Sequence, residues 1–289
     1  MESWRRDKAG FTILTLPASV WLLLFFTLPL TLVWAYSFGE RGPHGQTEFA
    51  VSLANYIRAL EWIHLGVIWK SLMIAVVVML ICLVIGFPMA LGIAFAAARW
   101  RMPLLVLVML PFWTNLLVRT YAWVAVLRDR GHVNGVLEWL HGLLGGAPEA
   151  FEPLPLLYNQ TAVMIGLVHV HLPFLVLPLY AAMARLDWQL LEASLDLGAS
   201  QWQTLRSVLL PLVMPGLATG CLLVFVLALG SFLTPDLLGG TDSMMIGNLI
   251  AREFGGARDW PFGAALSFLL IYVAFAALWL RASLAGDRA

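Results

Sequence analysis

Six long apolar runs limit what this sequence of 289 residues can fold into. They cover approximately residues 13–37, 71–97, 103–127, 161–184, 208–233 and 262–280. An α-helix rises about 1.5 Å per residue, so a run of about 20 apolar residues can cross the hydrocarbon core of a bilayer. The sequence therefore predicts an all-α, polytopic membrane protein with about six transmembrane helices.

The composition also indicates that most of the chain is surrounded by lipid rather than by water. Hydrophobic residues make up 61% of the sequence and charged residues 12%, whereas soluble domains are about half apolar and about a quarter charged. Seventeen basic residues balance seventeen acidic ones, so no net field favours binding to nucleic acid. Cys82 and Cys221 lie inside apolar runs, and their spacing fits neither a disulfide framework nor a zinc site.

The amino-terminal run resembles a signal peptide only in part. Arg5, Arg6 and Lys8 precede it, as basic residues precede a signal sequence. The apolar run from Phe11 to Phe38 is nevertheless too long, and it lacks a small-residue cleavage site. We therefore expect this run to remain in the mature protein as a membrane anchor.

Charge placement predicts the orientation of the chain. Nine basic residues fall in the pieces that are cytoplasmic if the amino terminus is inside, namely 1–10, 98–102, 185–207 and 281–289. Only seven basic residues, against eleven acidic ones, fall in the longer opposite loops 38–70, 128–160 and 235–261. The positive-inside rule therefore predicts that both termini are cytoplasmic. The expected parts are an amino-terminal segment 1–12, a transmembrane domain 13–281, a cytoplasmic loop 185–207 within it, and a tail 282–289.

Two smaller features concern packing. The external stretch contains a short amphipathic piece, Val136 to Leu144, that we expect along the membrane surface. Small residues four positions apart, Gly216 with Gly220 and Gly92 with Ala96, predict close approaches between helices.

The loop between the fourth and fifth runs is unusually organised for a connection, and it predicts two helices joined by a turn. Asp187 is placed to cap a first helix that runs to about Leu197, and Gly198 supplies the break. Ser200 and Gln203 form the pattern of a capping box for a second helix. Two short, rigid helices that project from a membrane domain are suited to transmitting force from a partner.

The same loop resembles the EAA loop of binding-protein-dependent ABC importer permeases. The matching pattern is Glu192, Ala193 and Ser194, three residues, Gly198, nine residues, Val208, one residue, then Leu210 and Pro211. Every spacing fits, although Ser194 replaces the usual alanine and Val208 the usual isoleucine. In that family the loop is the coupling helix that docks into a groove on a cytoplasmic ATPase. The resemblance implies a type I importer permease fold and assigns ATPase coupling to Glu192, Ala193, Ser194, Gly198, Leu210 and Pro211.

The resemblance extends over almost the whole chain. It rests on the motifs SLANYIRAL (52–60), GFPMA (86–90), PFWTNLLVRTYAWVAVL (111–127), PDLLGG (235–240) and IGNLIAREFGGARDWPFGAALS (246–267). Together they resemble the spermidine/putrescine branch, specifically its first permease subunit, although relatives in that branch carry other small solutes. The resemblance implies an inner-membrane assembly with a similar second permease, two ATPase subunits and an external solute-binding protein.

The same resemblance implies that this chain is a transport subunit rather than an enzyme. It contains no phosphate-cradling GxxxxGK sequence, so ATP and magnesium are expected on the partner ATPase and no cofactor on this chain. His169 and His171, two positions apart, point to different faces of a helix, so we expect no shared metal.

A path for a flexible polycation should offer carboxylates and aromatic faces, because both attract ammonium groups. The candidates of these types are Trp113, Tyr121, Trp123, Asp236, Glu253, Asp259 and Trp260. Arg119 is the charged residue that lies well inside one of the apolar runs, and this position makes it a functional candidate. Two roles are open for Arg119: it holds a gate through a carboxylate such as Asp236, or it extends to the interface from the outer end of its helix.

Two other classes of function are weaker. A self-sufficient secondary transporter would need carboxylates near the membrane midplane, and the apolar runs contain none there. An intramembrane hydrolase would need a motif such as GxSxG or HExxH around Ser231, His169 or His171, and the sequence lacks both.

Overall fold

A computed structural model describes residues 8–42, 46–145 and 151–286. Within these residues, five helices are long and apolar enough to cross a membrane: Phe11–Tyr36, Trp62–Phe95, Gln160–Met183, Gln201–Leu229 and Trp260–Ser283. A sixth span is complete only if Ala98–Trp113 and Leu116–Leu143, which meet at 91°, are counted together. The prediction of an all-α protein with about six transmembrane helices is confirmed.

The described α-helices are α1 Lys8–Leu22, α2 Leu28–Tyr36, α3 Ala54–Ala59, α4 Trp62–Phe95, α5 Ala98–Met109, α6 Leu116–Leu127, α7 His132–Leu143, α8 Gln160–Met183, α9 Gln189–Asp196, α10 Gln201–Thr204, α11 Leu210–Leu229, α12 Leu233–Leu238, α13 Ile246–Gly255 and α14 Trp260–Gly286. π-Helical turns at Leu23–Thr27 and Leu205–Leu209 join α1 to α2 and α10 to α11. Short 3-10 turns cover Leu110–Trp113 and Thr241–Ser243. Strands β1 Glu40–Arg41 and β2 Thr47–Glu48 pair antiparallel.

The third span differs from the single helix predicted for 103–127. The 3-10 turn that contains Pro111 ends at Thr114, whose backbone is extended. The side chain of Asn115 then accepts a hydrogen bond from the Leu117 amide at 2.8 Å and caps α6. Because an uncapped amide inside a membrane is costly, this cap stabilises a new helix start at the point where the chain bends by 91°.

Other helices extend past the predicted runs, because hydropathy detects the apolar stretch and not the helix that continues beyond it. α4 begins at Trp62 and not near Ser71, and α7 begins at His132. The fifth helical stretch begins at Gln201, before the predicted 208. Arg5, Arg6 and Arg288, on which part of the orientation argument rests, lie outside the described residues.

The chain divides into two compact units, and the first comprises residues 1–65 and 250–272. Here the SLANYIRAL motif holds the end of α2, because the Asn55 amide donates to the carbonyls of Ser37 and Gly39 at 3.1 and 2.8 Å. The Tyr56 hydroxyl lies 2.8 Å from the buried hydroxyl of Ser37. The motif therefore has a structural role in fixing the loop after α2 onto the first span.

The second unit comprises residues 66–249 and 273–289. Its core includes an extensive contact between α8 and α11, made possible by two glycines. A Cβ at Gly220 would lie 3.0 Å from the Leu175 carbonyl oxygen, and one at Gly216 would collide with Ala182. The predicted approach at Gly216 and Gly220 is confirmed. At Gly92, in contrast, a Cβ would meet nothing within 4 Å among the described residues.

Candidate functional site

The coupling segment, residues 185–207, folds as the sequence predicts. The Asp187 carboxylate accepts a hydrogen bond from the Gln189 amide at 3.0 Å, at the start of α9. The helix ends before Gly198, whose φ of +85° lies in the left-handed region that favours glycine. The chain thus turns out of the helix immediately after α9.

The predicted capping box at the start of α10 is confirmed. The Ser200 hydroxyl accepts from the Gln203 amide at 3.3 Å, and the Gln203 side chain accepts from the Ser200 amide at 2.7 Å. Both bonds satisfy amides that a helix start leaves unpaired. Because α10 continues through the π-helical turn into α11, the cap also fixes the start of the fifth span.

One side-chain contact joins the two helices of the coupling segment. The Ser194 hydroxyl on α9 lies 3.0 Å from the hydroxyl of Thr204 on α10, and Thr204 is buried. Ser194 is one of the two departures from the family pattern. The structure gives it a function in this chain, since the alanine usual at this position could not make the bond.

The residues assigned to ATPase coupling differ in their exposure to solvent. Glu192, Ala193 and Gly198 are exposed, as an interface with a partner requires, and Pro211 is exposed at the start of α11. Ser194 and Leu210 are half-buried and contribute to the packing of the segment. Leu197, which sequence reasoning did not single out, is 90% exposed at the tip of the turn. An apolar residue at a tight polar turn is the signal that could have identified it.

A groove of about 890 Å³ adjoins the same segment, and the sequence did not predict it. Its walls come from the end of α4, from α9 and from α10 with the start of α11, and include Leu91, Phe95, Trp188, Leu191, Leu195, Trp202 and Leu205. Phe95 and Trp188 meet edge to face, with ring centroids 4.9 Å apart. The coupling segment therefore presents an apolar concavity beside its exposed helix.

Arg119 does not pair with Asp236 in this structure. Its guanidinium donates to the side chain and the carbonyl of Thr114 at 3.1 and 2.8 Å, so it stabilises the bend before α6. Asp236 lies on α12, which packs against α6, but the hydrogen bond that it accepts comes from Asn248 at 3.5 Å. The contacts of Arg119 agree with a local structural role rather than with a gate formed with Asp236.

The aromatic candidates of the second unit form no single cluster. Trp123 packs edge to face against His169, with centroids 5.4 Å apart, and joins α6 to α8. Trp113 and Tyr121 are both exposed. Sequence reasoning considered His169 as a metal ligand or a hydrolase residue and missed its contact with Trp123. No group of three or more metal-ligating side chains occurs among the described residues.

In the first unit, Asp259 is already paired. Its carboxylate accepts from Arg58 at 2.7 Å and from the Phe262 amide at 3.2 Å, so it caps the start of α14. The Arg58 guanidinium also lies 3.9 Å from the centroid of the Phe262 ring. Glu253 is largely buried, and Trp260 packs on Phe254. The structure thus gives Asp259 a stabilising role in place of an open site for a solute.

Comparison with known proteins gives the family. A sequence profile described as "Binding-protein-dependent transport system inner membrane component" matches residues 49–285. The spermidine/putrescine transport system permease protein PotB of Escherichia coli is 42% identical over 253 residues, which are 88% of this chain and 90% of that protein. The inner membrane ABC transporter permease protein YdcU of Escherichia coli is 34% identical over 96% of this chain and 90% of its own length.

Solved structures give the fold. A chain from the crystal structure of a bacterial ABC transporter involved in the import of the acidic polysaccharide alginate matches with a TM-score of 0.71 and 19% identity. The match covers 98% of this chain and 96% of that one. The MetNI methionine ABC transporter matches with a TM-score of 0.56 and 17% identity over 78% and 94% of the two chains. Together with the profile, these similarities confirm the predicted fold of an ABC importer permease, and the chain belongs to the family of binding-protein-dependent transport system inner membrane components.

Proposed function

We propose that this chain is one of two membrane subunits of an ATP-driven importer, and that the solute is a polyamine such as spermidine or putrescine. The observation that carries the proposal is a coupling segment with an exposed first helix and a capping box on its second helix, in a chain 42% identical to PotB permeases over most of its length. PotB permeases are named for that solute class, and sequence similarity of this extent supports the same class here.

In the proposed mechanism, α9 docks on an ATPase and transmits its motion to the membrane helices. The Ser194–Thr204 contact joins α9 to α10, and α10 continues into α11. α11 in turn packs closely on α8 at Gly216 and Gly220, where an added Cβ would have no room. Displacement of α9 would therefore move two spans together. Closure of the ATPase subunits on ATP would open the cavity outward, and hydrolysis would reset it.

The proposed assembly contains this chain, a second and similar permease, two ATPase subunits and an external solute-binding protein. The two permeases form a heterodimer. ATP and magnesium bind to the ATPase subunits, and this chain carries no cofactor. Both termini and the coupling segment face the cytoplasm, and the loops that carry α3 and α7 face outward. Support comes from the distribution of basic residues and from the similarity to complete ABC importers.

We propose that the solute path is lined by those aromatic and acidic candidates that are not held in an ion pair. Trp113, Tyr121 and Trp123 offer faces to ammonium groups, and Asp236 offers an exposed carboxylate. Asp259 is a weaker candidate because Arg58 already neutralises it.

ATP-dependent uptake into vesicles that hold the full assembly tests the function. Radiolabelled spermidine should accumulate, and unlabelled spermidine or putrescine should compete, whereas unrelated amino acids and sugars should not. Uptake that polyamines fail to inhibit would assign another small solute to this permease. Uptake that persists without ATP, by a chain that purifies without an ATPase, would instead indicate a secondary transporter.

A further inference from the structure

The external helix α7 has no place in the proposed transport mechanism, yet it has distinct sides. Its inner side is fixed to the protein: Asn134, 2% exposed, donates to the Leu154 carbonyl at 3.0 Å and accepts from the Leu154 amide at 2.9 Å. The same amide also donates to the Arg128 carbonyl at 3.4 Å. The orientation of α7 about its own axis is therefore set by the chain itself.

The opposite side of α7 is an apolar stripe without a partner among the described residues. It consists of Val136, Trp139, Leu140 and Leu143, which are 57%, 64%, 40% and 69% exposed. Their spacing of three and four residues places them on one helical face. Glu138, also exposed, lies on a different face.

The stripe begins close to a membrane span. α6 and α7 both belong to the Leu116–Leu143 part of the bent third span, and only residues 128–131 separate the two helices. The turn is tight, because the Gly131 amide donates to the Arg128 carbonyl at 2.7 Å. The turn also exposes Arg128, Asp129 and Arg130. α7 thus directly follows α6 after a short, charged turn.

We propose that α7 lies in the bilayer interface, with the Val136–Trp139–Leu140–Leu143 stripe against lipid and Glu138 towards water. The stripe follows α6 closely in the chain, and both helices belong to the Leu116–Leu143 part of the bent third span. A tryptophan is the aromatic residue most suited to the headgroup level, and the arginines of the turn can contact lipid phosphates. α8 is a single crossing between α7 and the coupling segment. The leaflet concerned is therefore the one opposite the coupling segment.

The test uses spin labels on the complete transporter in lipid nanodiscs. Single cysteines are placed by Val136→Cys, Trp139→Cys and Leu143→Cys, with Glu138→Cys as the matched control one residue away. The background carries Cys82→Ala and Cys221→Ala and must retain solute uptake. Collisions of each label are measured with oxygen, which concentrates in lipid, and with a water-soluble nickel chelate.

Labels at 136, 139 and 143 should collide several-fold more with oxygen than with the nickel chelate, and the label at 138 should show the reverse. Greater access of the nickel chelate at all four positions would place α7 in water and overturn the proposal. Protection of the stripe from both reagents would also overturn it, and would assign the stripe to a protein partner. Neither result depends on the identity of the solute.

Discussion

At Gly198 the backbone conformation, and not the space around the residue, restricts what can be substituted. Its φ is +85°, and a Cβ at this position would meet nothing within 4 Å among the residues that the structure describes. A left-handed conformation costs an ordinary L-residue about 1–2 kcal/mol, and less for asparagine. The effect of a substitution should therefore follow backbone preference rather than side-chain volume.

This gives an ordered prediction for three variants. Gly198→Val should reduce ATP-dependent uptake most strongly, Gly198→Ala less, and Gly198→Asn least, although asparagine is larger than alanine. All three should insert into the membrane at normal levels, as measured by the amount of membrane-embedded protein. A loss of uptake that follows side-chain size would instead indicate a steric interface at this glycine.

For the Ser194–Thr204 pair, we predict that two substitutions have non-additive effects on stability. Ser194→Ala leaves the hydroxyl of buried Thr204 without its partner, which costs about 1–3 kcal/mol, whereas removing both hydroxyls can be nearly neutral. Thermal unfolding of the purified transporter should therefore show a smaller loss of stability for Ser194→Ala with Thr204→Val than for Ser194→Ala alone. Strictly additive losses would show that the two hydroxyls do not interact.

At the scale of elements, the sequence predicted most helices because each is tied to a local pattern. The capping box at Ser200 and the left-handed glycine at 198 depend on a few adjacent residues, and both are confirmed. The bend of the third span was missed although its signals, Pro111 and the capping residue Asn115, are also local. They were hidden by an apolar run long enough to look like one span.

Packing of α11 on α8 gives a prediction with a control in the same chain. Gly220→Leu would place a side chain against the backbone of Leu175, where a Cβ alone would lie at 3.0 Å, so the two helices must separate. We expect a lower melting temperature and reduced uptake. Gly92→Leu adds the same side chain where a Cβ has no neighbour within 4 Å among the described residues, and it should preserve both properties. Equal effects of the two variants would contradict the assigned contact.

The Arg58–Asp259 pair distinguishes a structural carboxylate from one on a solute path. Arg58→Ala leaves the carboxylate of Asp259 buried and unpaired, whereas Asp259→Asn removes the charge and keeps an oxygen for the Phe262 amide. Arg58→Ala should therefore lower the melting temperature more than Asp259→Asn. If Asp259 instead binds solute, Asp259→Asn should raise the KM for uptake and leave the melting temperature unchanged.

At the scale of the whole molecule, the sequence predicted the coupling segment, which depends on neighbouring residues. It did not predict the groove, which depends on residues far apart in the chain. The coupling segment is contiguous, so its motif specified both helices and the exposed residues Glu192, Ala193 and Gly198, although it did not indicate Leu197. The groove beside it needs α4, which is about 100 residues earlier in the chain. The sequence also left two roles open for Arg119, since two side chains of opposite sign in the same sequence do not establish a contact, and the structure shows it bonded to Thr114.

The central claim is that the tip of the coupling segment contacts an ATPase. A photo-crosslinking amino acid at Leu197, which is 90% exposed, tests it most directly in the intact transporter within native membranes. The proposed mechanism predicts an adduct with an ATPase subunit after illumination. An adduct with the external solute-binding protein, or with lipid alone, would contradict it.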